Sequence, residues 1–255
     1  MKNSVIRNLF LVPVIFLVFS ACDMFKIDNY EEPNATLKGG IKDAVTSELV
    51  ETDIQSGSTL QLKELGWAEG GLLGRVVMQN GEYQDKMMFA GRYRVEFSAC
   101  NFYPHIIEEI VVNKGENIRD FPVTPYIRVR NVNIRQEGSE IVATFNLQAG
   151  NPEVRLSNVR IFLSTDMYVG EPYTSFPLSG AGHTLAYSPA IEIDENETYR
   201  LSIDLTHENN KPYFRYVRNY YFRVGAMAAI APGGTNVGTI RRNYAPYTVI
   251  NFNVP

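Results

Sequence analysis

Apolar and polar residues alternate strictly through much of this chain, in short runs separated by turn chemistry, and that pattern most limits what it can fold into. Met87 and Phe89 lead to an Ala90-Gly91 turn, and Tyr93, Val95 and Phe97 follow at a spacing of two. Leu37 and Ile41 flank Gly39, and Leu60 and Leu62 alternate with polar neighbours. Further on, Ile141, Ala143, Phe145 and Leu147 keep the same spacing, as do Val159, Ile161 and Leu163. Tyr199, Leu201, Ile203 and Leu205 follow, then Tyr220, Phe222, Val224 and Ala226. Neighbouring strand residues point to opposite faces, so a spacing of two buries one face and wets the other. Asn80-Gly81 and Asn113-Lys114-Gly115 are turn sequences, because glycine supplies the positive φ of tight hairpins. No stretch of ten residues carries a helical stripe. The expectation is an all-β protein.

At 255 residues there is room for one large domain or two modest ones. Phe121-Pro122-Val123-Thr124-Pro125 sets two prolines three apart, which removes ladder donors and predicts a stiff linker. The expected organisation is therefore two β-sandwiches in tandem, residues 34–123 and 124–255. The formal net charge of −4 offers no basic face and argues against nucleic acid as a partner. Residues 23–123 carry 17 acidic and 10 basic side chains, whereas those from Thr124 onward carry 11 and 12, all but one of the 12 being arginine. The expectation is solvated faces on two separate domains.

The first residues carry a different message. Lys2 and Arg7 precede an apolar run over residues 9–19, and Ser20-Ala21-Cys22 closes it. That order is a secretory signal peptide, residues 1–21, too short for a span that needs about 20 apolar residues. Small residues directly before Cys22 resemble a bacterial lipoprotein signal, which implies that Cys22 becomes the lipid-bearing N-terminus. Residues 22–33, polar, acidic and ending in Pro33, fit a flexible tether and resemble the export signals of Bacteroidetes-type surface lipoproteins. The expected location is the outer membrane, lipid-anchored and surface-exposed. Cys100, the second of 2 cysteines, is then without a disulfide partner and is expected as a small buried hydrophobe.

Both halves resemble known domains. Leu37-x-Gly39-x-Ile41-x-Asp43-x-x-Thr46-x-Glu48-x-Val50, with Gly91-x-Tyr93-x-Val95 and Ile110-x-Val112-x-x-Gly115, resembles carboxypeptidase-regulatory-like domains, which are prealbumin-type sandwiches. Tyr220-x-Phe222-x-Val224-x-Ala226 resembles the tyrosine-bearing penultimate strand of fibronectin type III and related immunoglobulin-like domains, with Phe145 in place of that family's usual tryptophan. Together with 28–35 (DNYEEPNA) and Glu64-Leu65-Gly66-Trp67, the chain resembles Bacteroidetes-type lipoproteins of unknown function. Those are encoded beside glycan-uptake systems of the starch-utilisation type. The resemblance implies polysaccharide and outer-membrane uptake proteins as partners and assigns no catalytic residues.

The residues themselves assemble no active site. Neighbouring Glu108 and Glu109 on a strand point to opposite faces, His105, His183 and His207 lack ligand spacing, and no Gly-x-Ser-x-Gly elbow exists. Asp194-Glu195-Asn196-Glu197 is expected as a turn, so neither catalytic residues, a metal nor a cofactor is expected. What remains is aromatic. Sugars present flat C–H faces on which a ring can stack, and Trp67, Tyr83, Tyr103, Tyr168 and Tyr173 fall at strand ends or in loops. They are the ligand-binding candidates; for Trp67 the alternative is packing in the core or on the neighbouring domain. The leading function is a non-enzymatic accessory or glycan-binding component of a polysaccharide uptake system. The alternative is a structural or adhesion subunit that binds protein through its sheet edges.

Overall fold

The structure, a computed structural model, describes residues 31–66, 71–97, 99–103, 108–171, 175–231 and 238–252. Among these residues the chain is strand, turn and loop apart from one 3-10 turn at Lys211–Phe214. Among the described residues no helix is long and apolar enough to cross a membrane.

The first half holds β1 (Ala35–Asp43), β2 (Thr59–Glu64), β3 (Leu72–Val76), β4 (Glu82–Met88), β5 (Gly91–Phe97), β6 (Ala99–Cys100), β7 (Phe102–Tyr103), β8 (Glu108–Val112), β9 (Gly115–Ile118) and β10 (Phe121–Pro125). One sheet has the order β3-β2-β5-β8, and the other the order β4-β1-β10-β7 with β9 also on β1. Leu37, Ile41, Leu60, Leu62, Tyr93, Val95 and Phe97 fill the space between them, as their spacing of two requires. Phe97 meets Phe102 and Phe121 edge-on at 5.1 and 5.7 Å. The Asn80-Gly81 turn is tight: Gly81 has φ +86°, and a Cβ there would fall 2.6 Å from the Val50 carbonyl oxygen.

Two expectations fail here. In β4 the inward residues are Tyr83, Asp85 and Met88, while Met87 and Phe89 are exposed. Ala35 pairs with Met88 but Leu37 with Asp85, so β4 carries an extra residue and its alternation changes parity. The proline-flanked segment is also no linker. Phe121–Pro125 is β10, parallel to β1 through Ile41–Phe121 and Asp43–Val123. A strand residue presents its N–H to one edge only, and at Pro122 the strand has a partner, β1, on one side, because β7 pairs with Thr124 and Pro125 alone. Phe121, Val123 and Pro125 alternate into the interior like any other strand.

The second half holds β11 (Ile127–Glu137), β12 (Glu140–Ala149), β13 (Val154–Ser164), β14 (Thr184–Ile191), β15 (Tyr199–Asp204), β16 (Arg218–Ile230), β17 (Thr239–Ile240), β18 (Asn243–Tyr244) and β19 (Thr248–Phe252). Sheet β11-β12-β15 packs on sheet β14-β13-β16, with β18 and β19 both on β16, over one apolar core. This is the β-sandwich that the sequence pattern predicts, in the immunoglobulin-like arrangement that the resemblance implies. Phe145 is buried and stacks on Tyr199 at 5.7 Å. Tyr220 is buried in β16 and its hydroxyl donates to the Tyr213 carbonyl at 2.7 Å, tying the strand to the preceding loop.

The two halves are joined by a polar seam. Tyr220, Phe222 and Val224 of β16 face the core, so Arg223 faces away from it, and there the first half, together with Val169, Tyr244 and Ala245 of the second, covers it completely. Its five donor hydrogens all find acceptors. Nε donates to the Ala245 carbonyl, Nη1 to those of Thr52 and Val169, and Nη2 to Gln79's carbonyl and the Glu51 carboxylate. The Tyr244 ring lies 4.2 Å from the guanidinium carbon. Arg128 of β11 grips Asp43 of β1 with both oxygens engaged; across the same seam Asn101 Nδ2 donates to the Arg242 carbonyl at 3.1 Å and Asn243 Nδ2 to the Asn101 carbonyl at 2.8 Å. The contrast in charge between the halves is thus, at Arg128 and Arg223, complementarity between them rather than two independently solvated faces. Cys100 is buried and unpaired, and burial pushes its thiol up to about 11.

Candidate functional site

One cleft at this seam brings an exposed aromatic ring and several polar groups together. The first half contributes Ile54 and Gln55, from the loop between β1 and β2. The second contributes Ser164, Thr165, Asp166, Tyr168, Ser175 and Phe176, from the end of β13 and the loop after it. The cavity measures about 500 Å³, within the range of small-ligand sites.

A single buried carboxylate fixes both walls. Asp53 Oδ1 accepts hydrogen bonds from the Gln55 and Ser56 amides, each at 2.7 Å, and so shapes the first wall. Its Oδ2 accepts the Glu171 amide at 2.8 Å and lies 3.4 Å from the Tyr244 hydroxyl, which holds the second. Gly170 permits the approach, since a Cβ there would lie 1.8 Å from Asp53 Oδ2. The loop is further set by Ser164 Oγ, which accepts the Asp166 amide at 3.0 Å, and by Asp166 Oδ1, which accepts the Tyr168 amide at 3.0 Å. Gln79 donates from Nε2 to the Met167 carbonyl at 2.7 Å, a third tie across the seam.

Tyr168 is 47% exposed on this scaffold, a ring offered to solvent by a backbone that is pinned. Phe176 stacks face to face on Tyr213 at 4.5 Å, and the Tyr213 and Tyr216 carbonyls both lie within 3.1 Å or less of the Tyr220 hydroxyl. Tyr216 is itself exposed. Aromatic side chains therefore continue from the cleft across this end of the second sandwich. A ring face flanked by carboxylate, amide and hydroxyl groups can stack on an apolar ligand face while bonding its polar rim.

The other candidates fare differently. Tyr83 is 2% exposed, its hydroxyl donates to the Arg119 carbonyl at 2.5 Å, and burial raises its pKa; it lies outside the cleft and lines a separate hollow with Lys38, Lys42 and Asp120. Its place at a strand end hid the fact that its face of β4 looks inward. Tyr103 is half-buried and packs edge-on against Tyr126 at 4.5 Å, where the second half's core reaches the seam. Trp67, Tyr173 and Cys22 lie outside the described residues. Sequence reasoning missed Phe176, Tyr216 and the organising Asp53; single aromatics in loops and a lone aspartate carry no periodic signal. Among the described residues no group of three His, Cys, Asp or Glu side chains is placed to hold a metal ion. The acidic segment at Asp194 is a turn, with Asp194 Oδ1 accepting the Asn196 amide at 2.9 Å.

Fold and cleft define a two-domain all-β protein with a ligand-sized site at its domain joint. The chain belongs to the DUF3823 family, proteins of unknown function: its N-terminal domain model matches residues 35–124 and its C-terminal domain model, a domain of unknown function, residues 127–231. It is similar to a candidate carbohydrate-binding protein from Bacteroides uniformis ATCC 8492, with 38% identity and a TM-score of 0.78 over 86% of this chain and 100% of that one. A DUF3823 family protein from Parabacteroides merdae ATCC 43184 shares the fold at 20% identity and TM-score 0.68, over 87% of this chain and 100% of that one. Another from Bacteroides ovatus ATCC 8483 does so at 21% identity and TM-score 0.65, over 85% and 98%. A search of curated protein sequences finds no significant match.

Proposed function

We propose that this protein binds carbohydrate, without catalysing a reaction, in the cleft between its two sandwiches. The observation that carries the reading is Tyr168, an exposed ring on a pinned loop beside Asp166, Thr165 and Gln55. A relative at 38% identity described as a candidate carbohydrate-binding protein supports the same ligand class. We further propose, from the sequence around Cys22, that the protein is held by lipid on the outer membrane as an accessory component of polysaccharide capture and uptake. Detergent-phase partitioning that is lost in Cys22→Ala tests the anchor.

The binding test is affinity electrophoresis through gels containing neutral polysaccharides, run on wild type and Tyr168→Ala. Replacing an exposed ring removes little burial, so the variant should keep its melting temperature. The expected result is retardation of the wild type by at least one polysaccharide and its reduction in Tyr168→Ala. Equal migration of the two proteins in every gel that retards the wild type would contradict the cleft as the site.

A further inference from the structure

We propose that a groove on the other side of the seam, along β11, is a second carbohydrate site that takes a neutral oligosaccharide independently of Tyr168; the ligand class rests on the reading above. The groove, of about 610 Å³, runs between residues 43–51 of the first half and β11 of the second. At Arg130 and Asn131 it opens into a further hollow of about 340 Å³ over Asn146, Gln148 and Glu195.

The planar polar groups here are hydrogen-bonded to one another at the surface. Arg130 Nη1 donates to Gln148 Oε1 at 2.9 Å, and Gln148 Nε2 donates to Glu195 Oε2 at 3.1 Å. Asn131 Nδ2 donates to Asn146 Oδ1 at 3.0 Å. Orientations biased in advance reduce the ordering that a ligand must impose. The backbone is shaped to the same end. Arg130 pairs with Asn146 but Asn133 with Thr144, so Asn131 and Val132 together oppose one residue of β12. In this bulge Asn131 adopts φ +52°, a left-handed conformation that costs free energy and that asparagine tolerates better than most residues. The bulge lies where the groove meets the second hollow, and Arg130 and Asn131 line both.

Charge selects the ligand class. The carboxylates of Asp43 and Glu51, which line the groove, are committed to Arg128 and Arg223. Arg130 is offset by Glu195, and Glu48 adds a further carboxylate to the lining, so no surplus of positive charge remains to favour a uronate, a sulfate or a phosphate. What the groove presents is interleaved donors and acceptors, the complement of a ring of hydroxyls.

The test is isothermal titration of the protein beginning at Cys22→Ala with neutral hexasaccharides of glucose, mannose and xylose, and with hexagalacturonate as the anionic control. Arg130→Ala/Gln148→Ala should bind the recognised neutral sugar with a lower stoichiometry or at least tenfold lower affinity, at an unchanged melting temperature. Arg130→Gln should show a smaller loss in the same direction. Wild-type binding by Arg130→Ala/Gln148→Ala would overturn the groove while leaving the cleft standing. Loss there with no effect of Tyr168→Ala would support the groove and remove the cleft. Preference for hexagalacturonate would overturn the ligand class, and failure of every neutral sugar to bind wild type would overturn both sites.

Discussion

Arg223→Met removes the guanidinium that both halves share. The substitution leaves the Glu51 carboxylate without its counter-charge and withdraws donors from the carbonyls of Thr52, Gln79, Val169 and Ala245. Removing one partner of a buried ion pair costs about 3–5 kcal/mol, chiefly because the other charge stays buried. Arg223 is fully buried and Glu51 nearly so, with side-chain exposures of 0% and 17%, so the upper half of that range applies. Burial pushes the Glu51 carboxyl above its ordinary value despite the pull of Arg223, and loss of that pull will push it further. At about 2–4 °C per kcal/mol for a chain of this size, the melting temperature should fall by roughly 8–20 °C. Urea unfolding followed by circular dichroism gives the free energy directly. Glu51→Gln, which keeps the shape and removes the negative charge, should cost less than Arg223→Met. The double variant should be less destabilised than the sum of the two, with a coupling of about 1–3 kcal/mol. A loss below about 1 kcal/mol in Arg223→Met, or strict additivity of the two changes, would refute the view that this pair bolts the halves together.

Two further predictions follow from the same seam. Burial tends to raise the Asp43 carboxyl, but the Arg128 hydrogen bond, the amide of Val45 and the Arg128 charge together hold it below its ordinary 3.8. A depressed carboxyl contributes stability that is present above its unfolded value and lost as pH falls through the folded one, so the pair should fail below about pH 4. Asp43→Asn should lower stability at pH 7 and flatten the acid limb of the curve of stability against pH; an acid limb identical to wild type would exclude Asp43. In Gly170→Ala, the new methyl meets a carboxylate that four groups already hold, so it should cost about 1–3 kcal/mol and weaken sugar binding through the displaced loop. Wild-type stability and binding would mean that Asp53 is free to move.

Much of the fold was legible because a half-buried strand writes its geometry into every second residue. Tyr220, Phe222 and Val224 declare an inward face, and the structure buries all three. The failures have equally local causes. The extra residue in β4 moved the inward set from Met87 to Met88, and a count of two cannot see a bulge. Pro122 counted against a strand, although its partner lies on one edge only. Arg223 was in plain view between Phe222 and Val224, on the face that a solitary sandwich would give to water. Its burial depends on a second domain, and the excess of acid before residue 124 and of arginine after it was the available trace. Of the candidate site, Tyr168 was recoverable as an aromatic in a glycine-containing loop. Asp53 was not, since its role is to join two loops that lie 118 positions apart.

The central claim, that carbohydrate occupies the cleft at the joint, is tested most directly by hydrogen–deuterium exchange with and without a neutral oligosaccharide that the protein retains. Exchange should slow in peptides spanning residues 52–58 and 164–171, the two walls fixed by Asp53, and that slowing should be lost in Tyr168→Ala. Unchanged exchange in both walls at a saturating sugar concentration would contradict it.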